Sequence, residues 1–520
     1  MKKASWNVAE CLRMSTKRSP ENMALKSKNR SLTYRELDRR ANKVANTLIN
    51  LGLRKGDKCS VMLYNSIESI EIFMGMAKAG VVGVPVSFRF SKREVEYVVA
   101  HSDSKAIIFG EGFLDIVGPL VNIEINKKNF LVVGQNRGGF ESYEDHMTFA
   151  SGDDPLVEVG EDDIWYIGYT SGTTAFPKGV ETRHRAMLEN ATQWLVDYGS
   201  YDEDDRFLLI MPLFHANAIM CSLLMIIVGG FVYVHHSGGF NAEEILQIIV
   251  KEKITITSVV PTMLSIILNL PSEVKDKYDT RSINSILVAS SPLWTNIKEG
   301  TLKFFGSADL YEAYGSTEHQ IVTVLKPKYQ WEKIRSIGKP IIYKDVKLLD
   351  EEGNEVPVGQ PGELYVRGWG IPLKEYYKNP EATAKAFEGK WSTVEDIAVM
   401  DEEGFYYLID RKMDMIISGG ENISPSEIEN QIVEHPAVKE VAVIGQPDEK
   451  WGDAVTAVIV LIEGMTVTEE EIKEFCRNKL AGFKVPKFVD FVDELPKNAT
   501  GKILRKKVRE TYWEKMEGKI

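Results

Sequence analysis

Tyr169-Thr170-Ser171-Gly172-Thr173-Thr174-Ala175-Phe176-Pro177-Lys178-Gly179-Val180 is the stretch on which the reading of this 520-residue chain turns. Before it stands Asp163-Ile164-Trp165-Tyr166-Ile167, a short β-like apolar run. After it stands Glu181-Thr182-Arg183-His184-Arg185-Ala186-Met187, which can open a helix. The stretch itself has no apolar periodicity, and it gathers hydroxyls, two glycines and Lys178 into one turn. Hydroxyls and free backbone N–H groups at a strand-to-helix turn suit a polyphosphate, because each is a donor and the loop can wrap an anion. Lys178 adds a point charge. Loop chemistry alone leaves a plain Ser/Thr/Gly surface turn equally open. The spacing G-x-x-x-x-G-K-[ST] does not occur, so this is not a P-loop.

Working outward, the length calls for two or more domains. A hydrophobic content of 44% and a charged content of 27% are those of an ordinary globular protein. A net charge of -12 argues against a nucleic-acid partner, whose binding surface is basic. Cys11, Cys59, Cys221 and Cys476 lie far apart, which disfavours a disulfide framework or zinc site and favours a reducing cytoplasm. No apolar leader follows Met1-Lys2-Lys3. The longest stretch free of charged residues starts at Phe207 and stays apolar to Val234. His215, Asn217, Gly229 and Gly230 interrupt it, so it reads as a buried helix feeding a buried strand rather than a membrane span.

Strands and helices alternate on both sides of the central loop. Thr33 with Glu36 has capping-box spacing, and Leu37, Ala41, Val44 and Leu48 follow on one helical face. Strands are expected at Lys58–Leu63, Val81–Val86 and Ala106–Phe109, then at Arg206–Met211, Phe231–Val234, Ile254–Val260 and Ile283–Ala289. The pattern predicts an α/β fold: two mainly parallel sheet halves side by side, then a β-rich subdomain after about Lys339. A compact α+β unit restarts at Asp410-Arg411-Lys412-Met413. The expected division is 1–410 and 411–520.

Five stretches stand in one order: Tyr169 to Val180, Tyr314-Gly315-Ser316-Thr317-Glu318, Trp391 to Asp396, Asp410 to Glu427, and Pro496-Lys497-Asn498-Ala499-Thr500-Gly501-Lys502. Together, and over nearly the whole chain, they resemble the core motifs of the adenylate-forming superfamily. The 410–423 stretch looks most like fatty-acyl, aryl-acyl and carnitine-type CoA ligases. The resemblance implies that a carboxylate attacks the α-phosphate of ATP to give an acyl-adenylate and pyrophosphate, and that the thiol of coenzyme A then displaces AMP. Neither step needs a protein nucleophile, so positioning and charge stabilisation carry the catalysis.

The roles that the resemblance implies fall on named positions. Thr170, Ser171, Gly172, Thr173, Thr174 and Lys178 close over the β- and γ-phosphates. Tyr314 stacks on adenine, with Gly315, Ser316 and Ser290 beside it. Thr317 binds the α-phosphate, and Glu318 is the Mg²⁺ ligand. Asp396 and Arg411 hold the ribose. Lys502 reaches both the substrate carboxylate and the α-phosphate, offsetting the repulsion of two approaching anions. Gly419, Gly420, Trp451 and Phe483 meet coenzyme A. His215, Met220, Val260, Ala289 and Gly315 line the acyl pocket; their largely apolar character favours a monocarboxylic fatty or aryl acid. A C-terminal domain rotating about a hinge near 411–413 alternates the Lys502 face with the Gly419-Gly420 face.

Four positions depart from the family pattern. Ala175 replaces a glycine of the loop, and Ala289-Ser290-Ser291-Pro292 replaces a Gly-Gly-Ala-Pro-like segment. Val394-Glu395-Asp396 replaces Thr-Gly-Asp, and Met413 stands at the hinge position. Transfer to a carrier-protein phosphopantetheine, or a non-catalytic nucleotide- or acyl-binding role, stays open beside the CoA-ligase reading. So do a homodimer and peripheral membrane association.

Overall fold

The computed structural model describes residues 6–122, 125–135, 138–170, 177–199, 201–290, 293, 295–306, 308–411, 414–418, 421–448, 452–477, 479–480, 482–497 and 503–517. At 122, 410, 411, 417, 421, 422, 452, 483 and 513–517 it describes the backbone only. Contacts divide the chain into two compact units: residues 1–334, 340–345 and 367–392, and residues 335–339, 346–366 and 393–520.

The first unit holds two sheets. One runs, in spatial order, Glu141–Ser142, Phe130–Val133, Ser104–Gly110, Lys58–Met62, Val82–Pro85, Ile164–Thr170 and Lys178–Arg183. The other runs Gln320–Leu325, Asp309–Ser316, Ser285–Val288, Ile256–Val259, Arg206–Leu209, Phe231–Val234, Met23–Lys26 and Ser31–Thr33. Pairing is parallel through the body of both, as βαβ crossovers require. The expected α/β architecture of two sheet halves is therefore present.

One continuous core joins the two sheets. Trp165 and Tyr166 of the first sheet share it with Phe207, Leu209, Val232, Leu287 and Tyr311 of the second and with Leu12, Leu37, Phe73 and Leu223 of the helices. Local signals set the helix ends. Thr33 caps Tyr34–Asn50 with Glu36 completing the box. The uncharged stretch forms the buried helix Ala216–Val228, which stops at Gly229 (φ +86°) and feeds the buried strand Phe231–Val234. No helix among the described residues is long and apolar enough to cross a membrane.

In the second unit Asp396–Met400, the end of the strand Trp391–Met400, pairs antiparallel with Tyr406–Arg411. The C-terminal part has the spatial order Glu421–Ile423, Ile416–Ser418, Gly452–Leu461, Val438–Asp448, with Phe488–Phe491 parallel to Gly452–Leu461. Helices Pro425–Ile432 and Glu469–Arg477 send Ile428, Ile432, Ile472 and Cys476 into the core of that sheet.

The structure corrects one local expectation. The polyphosphate-type loop is not a strand-to-helix turn: Lys178–Arg183 is a strand antiparallel to Ile164–Thr170, and the helix opens only at His184. Gly315–Glu318 also lies at a hairpin. The strand continues to Ser316, turns over Thr317–His319 and returns antiparallel as Gln320–Leu325. Both motifs thus cap parallel sheets with an antiparallel hairpin. Such strands lie off the βαβ rhythm, so a search for helix-separated apolar runs passes over them.

His184, 1% exposed, sits between the first hairpin and the first helix of the chain. Its Nδ1 accepts a hydrogen bond from the Val8 N–H at 3.3 Å. Burial pushes its pKa down to about 4. The unfolded chain binds a proton there below pH 6.5, and the folded chain does so only near pH 4. Stability through this group is therefore complete above pH 6.5 and is lost as pH falls from 6.5 to about 4, by on the order of 3 kcal/mol. His184→Asn is expected to flatten the fall of the thermal unfolding midpoint between pH 7 and 4.5 relative to the parent chain.

Candidate active site

The first hairpin pairs Thr170 directly opposite Lys178. Of the expected phosphate contacts, Ser171, Gly172, Thr173 and Thr174 lie outside the described residues, as does Ala175. The hairpin is anchored from its side. The Tyr169 hydroxyl meets His101 Nδ1 at 2.9 Å, and the Tyr377 N–H donates to Gly179 O at 2.8 Å. Tyr377 and Lys378 both reach Asp103, at 2.8 and 2.6 Å.

The second hairpin places Tyr314 opposite Thr323, Gly315 opposite Ile321 and Ser316 opposite Gln320, with a register shift between Tyr314 and Gly315. A Cβ on Gly315 would lie 2.1 Å from Gln320 O, so the strands approach there as only glycine allows. Tyr314 and Glu318 are both buried, at 8% exposure. The two hairpins meet: a Cβ on Gly168 would lie 3.0 Å from Thr317 Cγ2.

A residue that sequence reading passed over joins them. The Tyr376 hydroxyl donates to Glu318 Oε1 at 3.0 Å, and Lys178 Nζ lies 4.9 Å from the centre of the Tyr376 ring. Tyr376 is brought in by backbone pairing with Val180 and by the Leu373 N–H donating to Glu318 O at 3.1 Å. Behind Glu318, His319 is fully buried and bonded through Nε2 to Ser392 Oγ at 3.0 Å. Lys344 Nζ donates to His319 O at 2.8 Å. Burial pushes the Lys344 ammonium down to about 7.

A metal fits Glu318. An ionised carboxylate offers four lone-pair positions, and the Tyr376 hydroxyl is the one side-chain donor it meets among the described residues. The remaining positions can face a hard cation. Glu68, Glu71 and Glu144 also come close enough to share an ion, but Arg30, Arg40 and the Tyr143 hydroxyl already satisfy that cluster.

Among the residues expected to line an acyl pocket, Met220, Val260 and Ala289 are buried at 1%, 2% and 8% exposure. His215 stands at the N-cap of Ala216–Val228, and its Nε2 is buried without a hydrogen-bond partner among the described residues. Its pKa falls to about 4, first through burial and then through the positive charge of Arg89. The charge of Arg89 thus reaches the histidine, although Arg89 lies far from it in sequence. Phe214 packs on His215 at 4.3 Å and on Phe88 at 5.0 Å.

In the second unit Asp396 and Arg411 face one another as cross-strand partners, which brings the two expected ribose contacts to one place on the sheet. Asp396 is 8% exposed. Lys502, Gly419, Gly420, Trp451 and Met413 lie outside the described residues, and Phe483 is described by its backbone alone, in a short turn at Gly482–Lys484.

Two family departures have a backbone consequence. Ser290 (φ +74°) and Glu395 (φ +63°) both occupy the left-handed region, at the places where the family pattern carries glycine. A side chain there costs about 1 kcal/mol or more. Ser290→Gly and Glu395→Gly are expected to raise the unfolding midpoint by about 1 and about 3 degrees, which is what about 1 kcal/mol yields in the larger and the smaller unit that carry them; differential scanning calorimetry checks it.

Residues 12–377 match the AMP-binding enzyme family, and residues 427–502 match the AMP-binding enzyme C-terminal domain. The chain belongs to the AMP-binding enzymes. Within that adenylate-forming superfamily it stands in the acyl-CoA ligase branch. It is 34% identical to the long-chain-fatty-acid–CoA ligase FadD13 of Mycobacterium tuberculosis over 92% of this chain and 93% of that one. It is 34% identical to a feruloyl-CoA synthase of Amycolatopsis, over 95% of this chain and 96% of that one. The structure of the anthranilate CoA ligase AuaEII in complex with anthranoyl-AMP matches with a TM-score of 0.91 at 28% identity, over 99% of both chains. ATP-bound MatB of Rhodopseudomonas palustris matches with a TM-score of 0.87 at 28% identity, over 98% of this chain and 99% of that one. This AMP-binding enzyme is thus an adenylate-forming, acyl-activating protein of the CoA-ligase type.

Proposed function

We propose that the chain is an ATP-dependent acyl-CoA synthetase that activates a monocarboxylic fatty or aryl acid as its acyl-adenylate and transfers the acyl group to coenzyme A. The meeting of the two hairpins carries this reading: Thr170 and Lys178 on one, Thr317 and Glu318 on the other, tied through Tyr376. Those groups are donors and charges suited to a triphosphate with its cation, and none is a nucleophile. The chemistry named in the AuaEII and MatB structures, an acyl-adenylate and bound ATP, supports the same reading.

In this proposal Lys178 and the loop from Thr170 hold the outer phosphates while Thr317 orients the α-phosphate. Glu318 would hold Mg²⁺, which supplies positive charge against the phosphate oxygens. The substrate carboxylate enters from the His215, Met220, Val260 and Ala289 side and attacks phosphorus, with pyrophosphate leaving. Lys502 offsets the negative charge as the two anions meet. His215 stays neutral at neutral pH, so it can face an apolar acyl chain without a buried charge. Asp396 and Arg411 hold the ribose, and the residues after a hinge near 411–413 form the mobile C-terminal domain. Gly419, Gly420, Trp451 and Phe483 receive coenzyme A.

The test is AMP release with ATP, Mg²⁺ and coenzyme A across short, medium and long fatty acids, benzoate- and cinnamate-type acids, betaine acids and one diacid. The diacid belongs in the panel as the control for the monocarboxylic reading. A clear CoA-dependent preference is the expected result. Adenylate that accumulates and moves only to a holo-carrier protein would replace the proposal with carrier loading. No AMP from any acid would favour a binding protein.

A further inference from the structure

We infer that Tyr376 is a positioning residue of the nucleotide site: it keeps the Lys178 ammonium and the Glu318 carboxylate from pairing with each other and so holds both ready for Mg·ATP. The inference rests on the acyl-adenylating reading for what occupies the site and adds a residue to it.

Three observations carry it. Lys178 and Glu318 approach the same tyrosine from different sides, the lysine over the ring face and the carboxylate at the hydroxyl. A phenol can serve both, because its ring face is electron-rich and its O–H is a donor. Among the described residues, no ion pair joins Lys178 to Glu318, although opposite charges around one buried side chain would otherwise close on each other. Tyr376 itself is 5% exposed and is fixed by its backbone bridge to Val180 and by its N–H donating to Thr383 Oγ1 at 2.9 Å.

The physical consequence is pre-organisation. A closed Lys178–Glu318 pair would have to be broken before the phosphates could take the lysine and the cation could take the carboxylate. With Tyr376 between them, the ammonium carries only a ring face that the incoming phosphates displace at little cost, while the carboxylate carries a neutral hydroxyl that stays in place when the cation binds. The hydroxyl also fixes which carboxylate oxygen of Glu318 is engaged and leaves the other for the cation.

The experiment compares the full-length parent chain with Tyr376→Phe and Tyr376→Leu. It uses calorimetric binding of ATP with and without Mg²⁺, a Mg²⁺ titration of adenylation, and thioester formation from added acyl-adenylate. Phenylalanine keeps the ring beneath Lys178 and the apolar volume, so that variant carries the test if leucine does not fold. Its half-saturating Mg²⁺ concentration is expected to rise about tenfold, as for loss of one hydrogen bond to a charged group, with adenylation at saturating Mg²⁺ within about twofold of the parent. Leucine is expected also to weaken ATP binding without Mg²⁺, because Lys178 is then free to pair with Glu318. Thioester formation from preformed adenylate stays near the parent rate in both.

Unchanged Mg²⁺ dependence and Mg·ATP affinity in Tyr376→Phe overturn the inference. Parallel loss of both half-reactions together with a lowered unfolding midpoint also overturns it, since that is a purely structural role. If the parent chain binds Mg·ATP but adenylates no acid, the synthetase reading fails while the binding comparison still decides the role of Tyr376.

Discussion

Lys502→Ala should lower acyl-adenylate formation by at least about a hundredfold while leaving thioester formation from added adenylate near the parent rate. The expectation follows from charge. A carboxylate and a triphosphate repel as they approach, and one well-placed ammonium relieves several kcal/mol of that repulsion in a site that excludes water. The flanks of Lys502 show that the substitution should leave the surrounding fold intact. Lys497 and Ile503 form an antiparallel bridge, the Leu504 N–H donates to Pro496 O at 2.8 Å, and Lys497 pairs with Glu440 at 2.5 Å. The following helix is held by Arg505, which reaches both Glu429 and Ser426. The described residues on either side of 498–502 are therefore held by these contacts. Pyrophosphate release measures the first half-reaction, and coenzyme A consumption with preformed adenylate measures the second. Equal loss of both would count against a C-terminal domain that presents different faces in turn.

Gly315→Ala is expected to cost about 2–4 kcal/mol of stability and to lower kcat/KM for ATP by at least about tenfold. The added carbon would meet the Gln320 carbonyl oxygen at 2.1 Å and Ile321 Cα at 2.9 Å. Both obstacles are backbone, so no rotamer change relieves them, and the two strands of the hairpin must part. That hairpin carries Tyr314, Thr317 and Glu318, so its opening displaces together the side chains proposed to meet the nucleotide. Gly239→Ala is the control: a Cβ there meets nothing within 4 Å. Thermal unfolding and ATP kinetics on the pair separate a general glycine effect from this close approach. A Gly315→Ala chain with the parent midpoint and ATP kinetics would show that the hairpin can widen without consequence.

The parts of the fold that were legible in the sequence are those where one element announces itself. Thr33 and Glu36 gave the helix start, Gly229 gave the stop of the apolar helix, and the alternation of apolar runs gave two parallel sheets. The edge hairpins were not legible, because Lys178–Arg183 is half polar and follows the loop directly, with no helix to separate it from its partner strand. The site divides in the same way. Thr170, Lys178, Thr317 and Glu318 stand in recognisable stretches, whereas Tyr376 and Arg89 have no local signal. Tyr376 acquires a role only because chain pairing at Val180 sets it between residues 140 positions apart in sequence. Arg89 matters only because folding brings its charge to His215.

Ser290 and Glu395 give the chain an unspent margin for change. Each holds a left-handed backbone that a glycine would occupy without strain, so each is a single substitution away from a sturdier protein. Alterations that reshape an acyl pocket tend to erode folding before they redirect selectivity. A background carrying Ser290→Gly and Glu395→Gly should therefore tolerate more such replacements at Met220, Val260 and Ala289 than the parent does. The same reserve would be visible in a library as a larger fraction of folded clones, whichever acid those clones prefer.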